Sequence, residues 1–237
     1  LQAHKENEAH GSNLGPYIHD IVYGANDGIV TTFAVVSGVV GADLASHIVI
    51  ILGFANVFAD ALSMGLGNYL SLRSKEDQYK RLLKEEQHEI EEIPEMEKAE
   101  VREIYQKKGL KGDDLERVVN VITSDTNVWL STMMQEEHGL TPEDFEKPML
   151  HGLMTFLSFV FFGSIPIIPY LLPLQGYQFI VTVISTACAL LLVGFLRSYV
   201  TKERFFRGPL EIFSVGMVCA AVAFGVGVML KGVAVGG

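Results

Sequence analysis

Cysteine is nearly absent from this 237-residue chain, with Cys188 and Cys219 the only two. Both lie inside apolar stretches, which excludes a disulfide framework and a CxxC metal site. Basic residues are also scarce, 18 Lys and Arg against 28 Asp and Glu. The formal net charge of −10 argues against nucleic acid as a partner. Charge of either sign is thin, at 19% of residues, where soluble domains carry roughly 25%. No GxxxxGK[ST] run occurs, so transport driven by nucleotide hydrolysis is not expected.

Apolar sequence is abundant instead. Hydrophobic residues make up 49% of the chain, and the mean hydropathy is +0.29. They gather in five blocks, at 21–42, 47–70, 150–172, 178–196 and 209–230. Each approaches or exceeds the roughly 20 residues a spanning helix needs. The first lacks a basic leader and carries Asp27, so it does not read as a signal peptide. The fold class expected is therefore all-α, a polytopic membrane protein with five transmembrane helices. Lys and Arg set its orientation. Arg73, Lys75, Lys80, Arg81 and Lys84 follow the second block, and Arg197, Lys202, Arg204 and Arg207 follow the fourth. The N-terminus, the central segment and the 197–208 loop are expected in the cytosol, and the C-terminus on the far side.

Between the second and third blocks, residues 73–148 hold twenty acidic and twelve basic side chains, most of the net charge. No Gly or Pro falls between Gly67 and Pro94, so the second spanning helix should continue to about residue 92. Pro94 suits the start of another helix, which Gly109 would end. Asp113 or Asp114 could cap a third helix running through Trp129 to His138, and Thr141-Pro142-Glu143-Asp144 looks like a further helix start. Three divisions result: 1–72 with spans one and two, 73–148 as a cytosolic three-helix acidic domain, and 149–237 with spans three to five.

Two constellations could carry chemistry. In the acidic domain, Glu86 and Glu89 are spaced i, i+3, and Glu97 and Glu100 repeat the spacing. Glu137 lies four residues after Met133 and three after Met134. Carboxylate oxygen with thioether sulfur suits a borderline divalent ion such as Fe2+ better than Ca2+ or Mg2+. The competing reading is a solvated acidic surface over core methionines, and spacing alone leaves both open. Glu85-x-x-His88 has the spacing of di-iron bundles but occurs once, so it reads as coincidence. In the membrane, Asn56, Asp60, Met64 and Asn68 form a polar stripe on helix two. Ala55, Ala59, Ser63 and Gly67 form a small-residue stripe next to it, a helix-packing surface at or near a dimer contact. Helix one carries Asp27 between Gly24 and Gly28. An ionisable group within a membrane reads as functional by default, so Asp27 and Met64, with Asn56 and Asp60 as weaker candidates, mark an ion path.

The run YGANDGIVTTFAVVSGVVGA followed by GFANVFADALSMGLGNYLS resembles the first two helices of the vacuolar iron transporter family. The resemblance extends over essentially the whole chain, including the helix count, the insert and the basic fourth loop. It implies a homodimer in the vacuolar membrane that moves cytosolic Fe2+ into the vacuole in exchange for protons, a transporter and not an enzyme. It implies that Asp27 and Met64 bind metal within the membrane. It likewise implies that Glu86, Glu89, Glu97, Glu100, Met133, Met134 and Glu137 bind metal in the cytosol; ligand chemistry adds that other divalent transition metals should bind there too and leaves Mn2+ open as the cargo. Two rivals remain: a metal-gated cation channel without proton coupling, and a ferroxidase, which would need a second Glu-x-x-His.

Overall fold

The computed structural model describes residues 15–174, 176–201 and 206–235. Lys202 and Arg204, half of the basic fourth loop, lie outside the described residues. The described chain is helical, with no strand among those residues. Among the described residues nine α-helices follow in order: α1 (Ile18–Gly41), α2 (Ser46–Glu92), α3 (Pro94–Lys107), α4 (Gly112–Thr123), α5 (Thr126–Glu136), α6 (Pro148–Gly163), α7 (Ile168–Leu171), α8 (Gln178–Thr201) and α9 (Arg207–Val235). They divide into two compact units. One contains the chain up to Tyr69 and from Met149 onward, and the other is Leu70–Pro148.

Three helices in the described chain are long and apolar enough to cross a membrane, α2, α8 and α9. α2 is 47 residues long, continuous because no Gly or Pro interrupts it from residue 68 to residue 92. The expected third span differs from a single helix. α6 ends at Gly163 after 16 residues, about 24 Å at 1.5 Å per residue. Turns then lead to the four-residue α7. Pro166 and Pro169 lie in this stretch, and each lacks the N–H that a continuing helix needs.

Among the described residues the apolar unit has three buried clusters, one of them Val36 and Val39 of α1 with Val49 of α2. Ala25, Ile29 and Val30 of α1 pack with Ala189, Leu190 and Val193 of α8 and Ile212 of α9. Val57 and Ala61 of α2 pack with Phe159 of α6 and with Ile167. Facing outward are Phe58, Leu62 and Leu66 on α2, Ile184 and Leu192 on α8, and Val218 and Val222 on α9. Helices that are apolar on their exposed faces as well as their buried ones need an apolar solvent.

The glycines of α1 serve packing inside this unit. A Cβ on Gly24 would lie 2.6 Å from the Thr155 carbonyl oxygen, and one on Gly28 would lie 2.7 Å from that of Phe159. The GxxxG face of α1 is therefore occupied by α6 of the same chain. The small stripe of α2 is different, for Ala55, Ala59, Ser63 and Gly67 are all exposed.

The acidic unit has its own core of Ile90, Val101, Leu115, Val119, Ile122, Trp129 and Met133. The single third helix expected here is two helices, so the unit holds four helical pieces and not three. The break falls at Ser124-Asp125. Ser124 Oγ donates to the Val121 carbonyl at 2.7 Å, and the Asp125 carboxylate caps α5 by accepting from the Asn127 and Val128 N–H groups at 2.8 and 3.2 Å. Short polar side chains compete with the helix ladder in this way. Lys111, not Asp113 or Asp114, is the N-cap position of α4. The start expected at Thr141 becomes a single 3-10 turn, Pro142–Phe145.

Candidate metal centre

Three of the candidate glutamates of the acidic unit lie one helical turn from a residue of the small core. Glu86 precedes Ile90, Glu97 precedes Val101, and Glu137 follows Met133, all at i, i+4. The same periodicity that buries the apolar residue carries the carboxylate inward. Glu86 is 3% exposed and Glu97 is 2% exposed, whereas Glu89 and Glu137 are exposed. The cluster thus has a buried floor and an open rim.

Glu86, Glu89 and Glu97 each bring an oxygen to within 4.8 Å of the others. A second group, Glu86, Glu137 and His138, meets the same spacing. Glu100 lies within electrostatic reach of Glu137, Glu86 and Glu89. His138 Nε2 lies 2.8 Å from Glu86 Oε1. Sequence reasoning placed His138 only as the end of a helix. The one available signal was its position directly after Glu137.

The electrostatics separate these glutamates from the rest. Among the described residues, the Lys and Arg ion pairs of this unit use Glu76, Asp77, Glu85, Glu103, Glu116 and Glu136. The cluster glutamates have no part in those pairs. Buried oxygens Glu86 Oε2 and Glu97 Oε2 have no hydrogen-bond partner. An unpartnered buried acceptor costs about 1–3 kcal/mol, and more when charged. Burial, reinforced by the charges of Glu100, Glu86, Glu89 and Glu137, pushes the Glu97 carboxyl up to about 7. Burial also raises Glu86, against the lowering effect of the His138 hydrogen bond. Glu100 is raised by burial and by Glu137. Carboxylates crowded together without cations among them form a site that a divalent ion would relieve. A solvated acidic surface would have left them apart or paired with lysine.

The sulfur candidates fare differently. Met133 is fully buried and packs with the apolar core. Met134 is 1% exposed and is not part of that core cluster. Glu85, of the lone Glu-x-x-His, is engaged by Arg81 at 2.9 Å.

In the apolar unit, Asp27 and Asp60 are both half-buried and within electrostatic reach of each other. Neither belongs to a three-ligand group among the described residues. Met64 is partly buried against Val57, Ala61, Phe159 and Ile167. Asn56 Nδ2 and, on α1 next to Asp27, Asn26 Oδ1 are buried without partners. Asn68, from the polar stripe, donates to Asp20 Oδ1 at 2.7 Å and to Thr155 Oγ1 at 2.9 Å. His151 Nδ1 lies 2.5 Å from the other Asp20 oxygen. Asp20, the buried centre of this network, lay just outside the expected first span, which started at residue 21.

An all-helical membrane protein bearing an acidic cluster with the geometry of a cation site is the class these features define. The sequence profile of the VIT family matches residues 18–228, and the chain belongs to that family. It is 37% identical to vacuolar iron transporter 1 of Eucalyptus grandis over 226 residues, 95% of this chain and 90% of that protein. It is 37% identical to a vacuolar iron transporter of Centaurea cyanus over 235 residues, 99% and 94% of the two chains. The vacuolar iron transporter of Plasmodium falciparum (isolate 3D7) is 36% identical over 237 aligned positions, 94% of this chain and 87% of that one.

Proposed function

We propose that this protein carries Fe2+ from the cytosol into the vacuole in exchange for protons, with Mn2+ as a second cargo. The observation that carries the reading is the cluster of Glu86, Glu89 and Glu97, two of them buried and with orphaned oxygens. Family membership and the names of the relatives support iron as the cargo and the vacuole as the destination. In this reading the chain crosses the membrane five times, α6 and α7 together making the third crossing. The N-terminus and residues 73–148 face the cytosol and the C-terminus faces the lumen. The excess of Lys and Arg after the second and fourth blocks supports that orientation.

The acidic domain gathers Fe2+ and other divalent transition metals on Glu86, Glu89, Glu97, Glu100, Glu137, Met133 and Met134. Its negative field raises the local cation concentration. Asp27 and Met64, helped by Asn56 and Asp60, bind the ion within the membrane. A carboxylate holds either a metal or a proton, so one site opening to each side in turn suffices for exchange. An acidic lumen protonates the carboxylate and releases the ion. Two chains assemble through the exposed small stripe of α2, since lipid does not reward such side chains while a close helix does.

Purified protein in sealed liposomes tests this. An inward-acidic pH step alone should drive Fe2+ uptake against its gradient. Uptake that only ever runs downhill, whatever the pH step, would favour the channel. Oxygen consumption on adding Fe2+ would favour the ferroxidase.

A further inference from the structure

His138 stands outside the glutamates and methionines that the family resemblance implies, yet it enters one of the two ligand groups. We propose that His138 is a metal ligand of the acidic cluster, supplying a nitrogen that biases the site toward Fe2+, Co2+ and Zn2+ over Mn2+. The inference rests on the reading of the cluster as a metal site given above.

The placement of the ring comes from the end of α5. Gly139, at φ +64°, breaks the helix in the left-handed region. The Leu140 N–H closes back on the Met134 carbonyl at 3.0 Å, and the His138 N–H on that of Met133 at 3.4 Å. The imidazole is thereby held against α2, where Nε2 meets Glu86 Oε1 at 2.8 Å. Two donor atoms bound at right angles, each about 2.1 Å from one ion, lie about 3 Å apart. The observed spacing is that of neighbouring ligands, and an oxygen of Glu137 lies within 4.8 Å of both. The other oxygen of Glu86, a residue 3% exposed, has no partner. A hydrogen bond to one oxygen satisfies half of this carboxylate, whereas an ion shared by Glu86, Glu137 and His138 satisfies the group.

The chemistry then sets a preference. Carboxylate-only sites suit Mn2+ well, while imidazole favours Fe2+, Co2+ and Zn2+. A nitrogen in the cluster shifts the balance between two cargoes that oxygen ligands alone hardly separate.

The test compares full-length wild type with His138→Gln in detergent, titrated with Co2+ and separately with Mn2+. Zn2+-edge X-ray absorption on both proteins reads the imidazole scattering. Glutamine keeps an N–H donor for Glu86 but lacks the ring. The variant should lose Co2+ affinity by about tenfold or more, keep Mn2+ affinity within a few-fold, and show less imidazole scattering. Equal losses for both metals with unchanged scattering would mean that His138 only positions Glu86, and would overturn the inference. Unchanged Co2+ binding would overturn it while leaving the proposed function standing. Failure of wild type to bind either metal would overturn both.

Discussion

Glu97 shows most directly how one side chain can link protons, metal and stability. Its carboxyl is raised from 4.5 to about 7 by burial and four neighbouring glutamates. An acid raised on folding binds more protons folded than unfolded, so the metal-free fold is favoured at low pH. That contribution is lost as pH rises through the window from about 4.5 to about 7. Hydrogen exchange of the amides in α3 to α5, corrected for its intrinsic pH dependence, should show protection falling between pH 5 and 7.5 without metal. Co2+ should restore it, and Glu97→Gln should flatten the profile. A metal-free profile already flat in the wild type would count against this linkage. In the proposed exchange, Asp27 is the corresponding residue for transport. Asp27→Asn keeps the size and removes the titratable charge, so uptake into liposomes should fall to background with the protein still folded. Wild-type uptake by this variant would remove Asp27 from the exchange step.

Two junctions decide how the helices are used. The Asp125 cap separates α4 from α5 and sets the direction in which Met133, Met134 and Glu137 approach the core. Asp125→Ala should cost about 1 kcal/mol, the usual worth of such a cap. Increased exchange of the first α5 amides would report it, and unchanged protection would mean that packing alone holds the helix. At the other junction, Gly28 lies where any side chain would meet the backbone of α6. Gly28→Leu should disrupt the folded apolar unit itself, seen as loss of a monodisperse peak in detergent. A well-folded Gly28→Leu protein would show that α1 and α6 can separate at little cost.

For the molecule as a whole, the faces left uncovered matter as much as those buried. Ala55, Ala59, Ser63 and Gly67 are exposed, and a Cβ on Gly67 would meet nothing within 4 Å. Ala59→Leu should therefore leave the single chain folded while lowering both the oligomer mass in detergent and the metal flux. Unchanged mass and flux would place this face against lipid. In the acidic unit, Glu97→Ala with Glu100→Ala should reduce the number of ions bound, while Glu91→Ala with Glu92→Ala should matter little. Equal losses in calorimetry would turn the cluster into a diffuse counterion cloud.

Much of this was legible in the sequence because its causes are local. The continuity of α2 to Glu92, the start of α3 at Pro94 and the stop at Gly109 follow from where Gly and Pro fall. The shared face of Glu86 and Glu89 follows from helical spacing, and the family from two long motifs. The Ser124-Asp125 break was local too, but its signal was weaker than the apolar period running across it. Other features depended on packing between distant segments. His138 reaches Glu86 across 52 positions, and Asn68 reaches Asp20 across 48. Gly24 and Gly28 look the same in sequence whether their neighbour is another chain or α6. Burial raised the Glu86 and Glu97 carboxyls, because only a closed core can take water away from a carboxylate, and which side chains close that core is settled by packing between distant segments.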